Sequence, residues 1–486
     1  MSKTLAANTR QIRPGNHSNL KAVIRWSLRI FLIVAGIVLL LLATFVAINL
    51  KDEALTPVTK ALLQDQQFHL PDAQNSFYIL VMMNAALDTD LLKNGIDKIR
   101  TQQALYQKDK AYYQSHPHPE ADEKLLSFNW NNNRCRQTIQ NCVQMDLKKR
   151  AELAQQIVSN QVLAERYALM RKMGGYEEHL IPTFNASVPP YSSLSRAIDL
   201  LLTQASFDIA DGKLDAGLQL LESNNRYLRV VLKNSSSLLS KMVMQAAIRR
   251  QARTVSELLV LYPALLEHHA DRVSLLVQTM TEAERSLEQP FLYEAGVQTQ
   301  FPQHLPASLE MTPDKSEMTP WPLNVLGNFT FQPNATSNMV ARNWTYIIDT
   351  ARNTAVDFSA SKERLKKMRE AVNADGISFY LEHAYNPVGK ILMQVGIPDY
   401  ALTYIGKSLD TDAYLRLVSL QVDILRKKIP DADIPAYLAR APVALRSPYD
   451  GSAMLWDASS AQLKFIGHEK ASSNLDAGNV NIVALR

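Results

Sequence analysis

The only two cysteines of the 486-residue chain, Cys135 and Cys142, lie seven positions apart in NNNRCRQTIQNCVQMD. Paired thiols hold metals, shuttle electrons or cross-link. Two Cys ligands are too few for a structural zinc, and no His or Cys pair lies at finger spacing. The C-x-x-C spacing of redox pairs is absent. A disulfide is the remaining reading, provided the segment sits in an oxidising compartment. Its geometry sets a condition. Seven residues of helix separate two Cα atoms by about 10 Å, whereas a disulfide needs roughly 4.4–6.8 Å. The two cysteines therefore cannot share one unbroken helix, and the Asn131-Asn132-Asn133 run favours a turn ahead of them. Closing the loop adds about 2.5 kcal/mol of stability.

Other clusters carry less. His116, His118 and Glu120 in HPHPE are ligand types, but Pro117 and Pro119 make the run an extended connector. Ser359 and Lys362 match S-x-x-K, a serine nucleophile with its lysine one helical turn away. The S-D-N and K-T-G partners of that chemistry do not occur. Nor do G-x-S-x-G, H-E-x-x-H, a P-loop or G-x-G-x-x-G. Arg249, Arg250 and Arg253, and the group Lys362, Arg364, Lys366, Lys367 and Arg369, read as solvated helix faces rather than anion sites. The residues assign no catalytic, metal or cofactor site.

The compartment follows from the N-terminus. Residues 30–50, IFLIVAGIVLLLLATFVAINL, carry no charge. As a helix they span about 30 Å, the thickness of a bilayer's hydrocarbon core. Lys3, Arg10, Arg13, Lys21, Arg25 and Arg29 precede them with no acidic residue, while Asp52, Glu53 and Asp65 follow among basic ones. The positive-inside rule then puts residues 1–29 in the cytoplasm and the rest outside. The span is longer than a signal-peptide core and lacks a small-x-small site at its end, so it reads as an uncleaved signal-anchor. The net charge of +5 belongs to that tail. Without its six basic residues, 46 basic face 47 acidic. A balanced surface argues against nucleic acid as a partner. The expected partners are the lipid bilayer, through residues 30–50, and an unidentified envelope protein.

Helical signals dominate the outer portion, with only 16 Gly in the whole chain. FYILVMM, 77–83, is apolar on every side and is read as a buried helix. Asp88 and Thr89 offer an N-cap to a helix running to about 114. A further helix runs from Leu147 to Lys172, where Gly174-Gly175 stops it. Leu194, Ile198, Leu201, Leu202, Ala205 and Ile209 fall on one helical face, Asp211-Gly212-Lys213 turns, and Leu214, Leu218 and Leu221 begin a second face. The stretch ASFDIADGKLDAGLQLLE resembles one tetratricopeptide unit, without the closing Pro or a second copy. It is a helical hairpin with solenoid-like packing, since an array needs about three units. Asn386-Pro387 reads as an N-cap and first-turn pair. Residues 410–429 read as an amphipathic helix.

Between 288 and 337 the pattern breaks. Pro290, Pro302, Pro306, Pro313, Pro320, Pro322 and Pro333 punctuate a stretch that still carries large apolar side chains. It is read as an ordered, extended strap lying on the helices. Phe291, Tyr293, Phe301, Trp321, Phe329 and Phe331 are its candidate partner-binding residues. In the tail, the segments 453–456 and 462–466 read as a small β-hairpin.

A helix followed by I-P-A-Y-L, S-P-Y-D-G and M-L-W resembles the C-terminal end of many uncharacterised proteobacterial membrane-anchored proteins, and some pilin-like proteins close similarly. The chain departs from pilins at the front: no Glu follows the start of its apolar helix and no prepilin Gly precedes it. The resemblance implies a bacterial envelope protein, not a filament subunit. The sequence thus predicts an all-α protein in six stretches. These are a basic tail (1–29), a transmembrane helix (30–50), a helical domain (51–287), the strap (288–337), a second helical domain (338–445), and a small hairpin and tail (446–486). The body is solenoid-like or irregular. A non-enzymatic, partner-binding role is favoured over an enzyme built from scattered carboxylates or a small-ligand binder.

Overall fold

The computed structural model describes residues 17–64, 66–110, 113, 125–130, 141–310, 330–353, 358–372, 384–395, 400–467 and 480–486. Cys135, the HPHPE run, Trp321 and Phe329 lie outside them. The fold is all-α with one small C-terminal sheet. Helix α1, His17–Asn49, holds the mostly apolar stretch Val23–Asn49, open along its length except at Asn49. It is long and apolar enough to cross a membrane.

Short elements follow: α2 (Pro57–Leu62), α3 (Phe77–Val81) and α4 (Leu91–Lys108). The first five residues of FYILVMM are helical as expected, with Phe77 to Leu80 buried; Met82 and Met83 turn away from the helix. The cap of α4 is Asp90 rather than Asp88 or Thr89: its carboxylate accepts from the Lys93 amide at 3.1 Å. The next helix is broken into α5 (Cys142–Lys148), α6 (Arg150–Ser159) and α7 (Gln161–Met173), which ends on Gly174 at φ 74°.

The hairpin is α8 (Tyr191–Ala210) and α9 (Leu214–Asn234), turning through Gly212 at φ 76°. Gly217 lets the two helices meet. A Cβ there would sit 2.5 Å from Ile209 Cγ1 and 2.8 Å from the Ala205 carbonyl. Beyond it lie α10 (Leu238–Leu261), α11 (Ala264–Leu276) and α12 (Glu282–Arg285).

The strap expectation fails where the structure describes it. Residues 288–310 form helix α13 (Glu288–Glu310), and α14 (Pro333–Asn353) begins at Pro333. The prolines misled because Pro290 lies in the first turn, where its missing amide costs nothing. Pro302 and Pro306 do remove donors, yet the helix continues because tertiary packing outweighs the lost bonds. Leu287, Phe291, Ala295 and Thr299 recur every four residues and are buried, the first three packed with Val340, Trp344, Ile347 and Ile348 of α14. Gln298 accepts from the Trp344 indole at 3.0 Å.

The chain closes with α15 (Phe358–Val372), α16 (Pro387–Val395), α17 (Tyr400–Lys427), α18 (Ile434–Arg440) and strands β1 (Leu455–Asp457), β2 (Gln462–Ile466) and β3 (Val480–Ala484). The predicted hairpin is β1 and β2; β3 adds a third antiparallel strand in the order β1-β2-β3, with Leu463 opposite both Trp456 and Val483. Helix α17 is longer than 410–429 and is buried on most sides rather than amphipathic. Its first half, Ala401 to Leu409, joins the α13–α14 core. Its second half, from Ala413, joins the core of α8–α10 and the sheet. The larger core therefore unites stretches that are far apart in the chain.

Candidate functional site

The most elaborate polar construction in the described residues lies where α1 meets the body. Asn49, the last residue of α1, is 2% exposed although the apolar helix before it is open. Its Nδ2 donates to the Ala384 carbonyl at 2.7 Å, its Oδ1 accepts from the Asn386 amide at 2.9 Å, and its carbonyl accepts from Gln332 Nε2 at 2.6 Å. Asp52 caps α14: its two oxygens accept from the Asn334 and Ala335 amides at 2.7 and 3.0 Å. A carboxylate there meets unpaired N–H groups and the positive end of the helix dipole.

Asn338 holds the next stretch. Its Nδ2 donates to the Ala54 carbonyl at 3.0 Å, and its Oδ1 accepts from the Thr56 amide at 3.0 Å and Thr59 Oγ1 at 2.7 Å. Asn386 closes the ring, accepting from the Gln332 amide at 2.8 Å and donating to Thr336 Oγ1 at 3.0 Å. Asn386-Pro387 does start α16, but the Asn side chain serves α14 and the backbone stands at φ 52°. Gly389 is what admits it. A Cβ at 389 would lie 2.1 Å from Thr336 Oγ1 and 2.4 Å from Asn386 Nδ2. Sequence reasoning missed Asn49, Asp52, Gln332 and Asn338 as a set. The available signal was an Asn at the end of an apolar span, followed by Asp-Glu.

The predicted partner-binding residues divide. Phe291 and Tyr293 are buried, and Tyr293 donates to the Ile181 carbonyl at 2.9 Å, so neither is a docking surface. Phe331 is half-buried beside the junction. Phe301 is partly open, and its ring meets the exposed Phe184 edge-on at 5.3 Å between centroids. Cys142 begins α5 and is buried; Asn141 before it stands at φ 69°, so the helix starts afresh there. Glu257 accepts from the Val143 amide at 2.7 Å, and burial raises its pKa.

The basic clusters are partly structural. Arg249 lies over the Tyr414 ring and bonds Asn481, and Arg250 donates to Ser195 Oγ at 2.8 Å. On α15, Lys362, Arg364, Lys366 and Lys367 are exposed.

Two buried titratable groups stand out. His179 lies between Tyr78, whose oxygen is 3.0 Å from Nδ1, and Glu177, 3.3 Å from Nε2; Tyr78 donates on to Asp72 at 2.7 Å. A histidine so placed can relay a proton. Here Phe68 stacks on the ring at 3.8 Å and burial lowers the His179 pKa against the pull of Glu177, so the network ties 68–78 to 175–179. Lys241 donates to the Leu232 carbonyl at 2.6 Å, and burial lowers its pKa to about 8. Nearby, Glu178 accepts from Tyr176, Tyr191 and the Ser236 and Ser237 amides at the start of α10.

No family model, curated protein or solved structure matches this chain.

Proposed function

We propose a membrane-anchored, non-enzymatic envelope protein. In this reading α1 crosses a bacterial inner membrane with its N-terminus in the cytoplasm. The helical body stands on the periplasmic side, where it binds another envelope protein or scaffolds an assembly. The junction is the observation that carries it. A tethered enzyme needs only reach, which a flexible linker supplies. Here the chain from Asn49 to Thr59 is bonded to α14 and the start of α16, so the body's height and tilt over the bilayer are set.

The basic tail before the span supports the orientation. The likeness of the C-terminal segment to proteobacterial membrane-anchored proteins supports the compartment. A Cys135–Cys142 disulfide belongs to the same reading; the left-handed backbone of Asn141 directly before the helix that Cys142 begins supports it. The partner contact falls on Phe301, with Phe184 beside it.

The test is a photo-crosslinking residue at Phe301 in the full-length protein, activated in intact membranes. A discrete adduct with one envelope protein is expected. Adducts at Phe301 no more frequent than at the exposed Val443 would sink the partner reading. Thiol labelling of unreduced spheroplasts should leave both cysteines unmodified; labelling of both removes the disulfide.

A further inference from the structure

Helix α16 carries an apolar stripe that the body does not cover. Val388, Ile391 and Leu392, at i, i+3 and i+4, are 37, 54 and 39% exposed. The opposite side of α16 is occupied: Gly389 is pressed on Thr336, and Met393 packs against the α13–α14 core. Three adjacent large apolar side chains on one short helix form a patch that water disfavours.

Its position says what covers it. The stripe starts two residues after Asn386, whose amide is bonded to Asn49, the last residue of α1. Leu392, six residues on from Asn386, is about 9 Å further along α16 at most. The uncharged stretch of α1 from Ile30 to Asn49 spans about 30 Å, matching a hydrocarbon core, so with Arg29 at one boundary the Asn49 end reaches the other headgroup layer. Val46, Ile48 and Leu50 are still open at that end.

We infer that α16 lies in the interfacial layer of the same bilayer that α1 crosses, with Val388, Ile391 and Leu392 against lipid acyl chains. The inference rests on the reading of α1 as a membrane span. The body then has a second membrane contact, and the junction between Asn49 and Asn386 holds the two at fixed spacing. Short amphipathic helices bind bilayers in this way, with the polar side turned to protein and the apolar side sunk below the headgroups.

The experiment uses the full-length protein in phosphatidylcholine–phosphatidylglycerol vesicles containing doxyl-labelled lipid. An environment-sensitive fluorophore is placed on Ile391→Cys, Val388→Cys, Leu40→Cys or Val443→Cys in turn, with the unsubstituted protein as blank. Leu40 reports α1 and Val443 an exposed site on the body. Quenching at positions 391 and 388 is expected to be roughly fivefold that at 443, strongest with the doxyl group near the headgroup. Quenching at 40 without quenching at 391 and 388 overturns the inference and leaves the anchor intact. Absence of quenching at 40 removes the anchor reading itself. Disulfide cross-linking of Ile391→Cys between copies would instead assign the stripe to a second copy of the chain and also overturns it.

Discussion

The bundle of α8–α10 with α17 and the junction at the end of α1 are held together by opposite means. In the bundle, Leu194, Ile198, Leu228, Leu232, Ile248 and Leu415 are all but removed from water, and burial of such side chains is worth roughly 2 kcal/mol each. Around Asn49 the contacts are mostly between amide groups: Asn49, Gln332, Asn338 and Asn386 join three chain segments through hydrogen bonds. A net hydrogen bond contributes only about 1 kcal/mol, but one left unmade in a buried place costs more. The apolar region is stable through quantity and tolerates rearrangement. The polar region fixes geometry and tolerates little.

Four changes would break or sharpen that contrast. The largest effect falls on the seam between the two cores. Asp412 is wholly buried on α17, accepting from Arg416 Nε at 2.9 Å, Arg285 at 3.2 Å and the Met280 amide at 2.8 Å. Asp412→Ala leaves two guanidinium groups without their shared carboxylate and should cost about 4 kcal/mol. Urea unfolding in detergent should show both regions losing stability together; a loss confined to one would mean that α17 does not couple them.

Leu228→Ala, at the centre of the bundle, should cost about 3 kcal/mol through lost burial and a residual cavity. Hydrogen exchange at residues 332–338 should stay unchanged below the global unfolding limit.

Lys241 tests the bundle from the other side. Its pKa falls to about 8 on folding from 10.5, so the unfolded chain holds more protons between those values. Stability should therefore rise with pH across that window. Below pH 8 the buried charge costs the full amount, roughly 3 kcal/mol as an order of magnitude. Lys241→Met should raise the urea midpoint at pH 7 and gain progressively less towards pH 10; an equal gain at both would exclude titration as the cause.

Gly389→Ala has the smallest global effect, about 2 kcal/mol from overpacking. It should act locally. The added methyl meets Thr336 and Asn386, so exchange should accelerate at 49–56 and 332–338 while α8–α10 stay protected.

What the sequence disclosed follows the same division. The α1 span, the α8–α9 hairpin and the 77–81 helix were legible because apolar periodicity and unbroken apolar runs are local signals. The turn at Gly212 could be placed because it separates the two apolar faces. The junction was not legible, since Asn, Gln and Asp have no periodicity and their partners lie hundreds of residues away. Helix α13 was hidden behind prolines whose punctuation outweighed the four-residue recurrence of Leu287, Phe291, Ala295 and Thr299. Strand β3 was missed because its inward positions include Asn481, a polar residue that looks outward until Arg249 is seen beside it.

The bond between Asn49 and the Asn386 amide joins positions 337 residues apart. A ribosome adding about 5–20 residues per second needs roughly 20–70 s to make the second partner after the first. During that interval the hairpin, made of neighbours in sequence, already has its own partners. Helix α1 does not. Newborn chains therefore hold a folded α8–α9 hairpin on a swinging stem, and the stem stiffens only when residues 332–338 and 384–386 arrive.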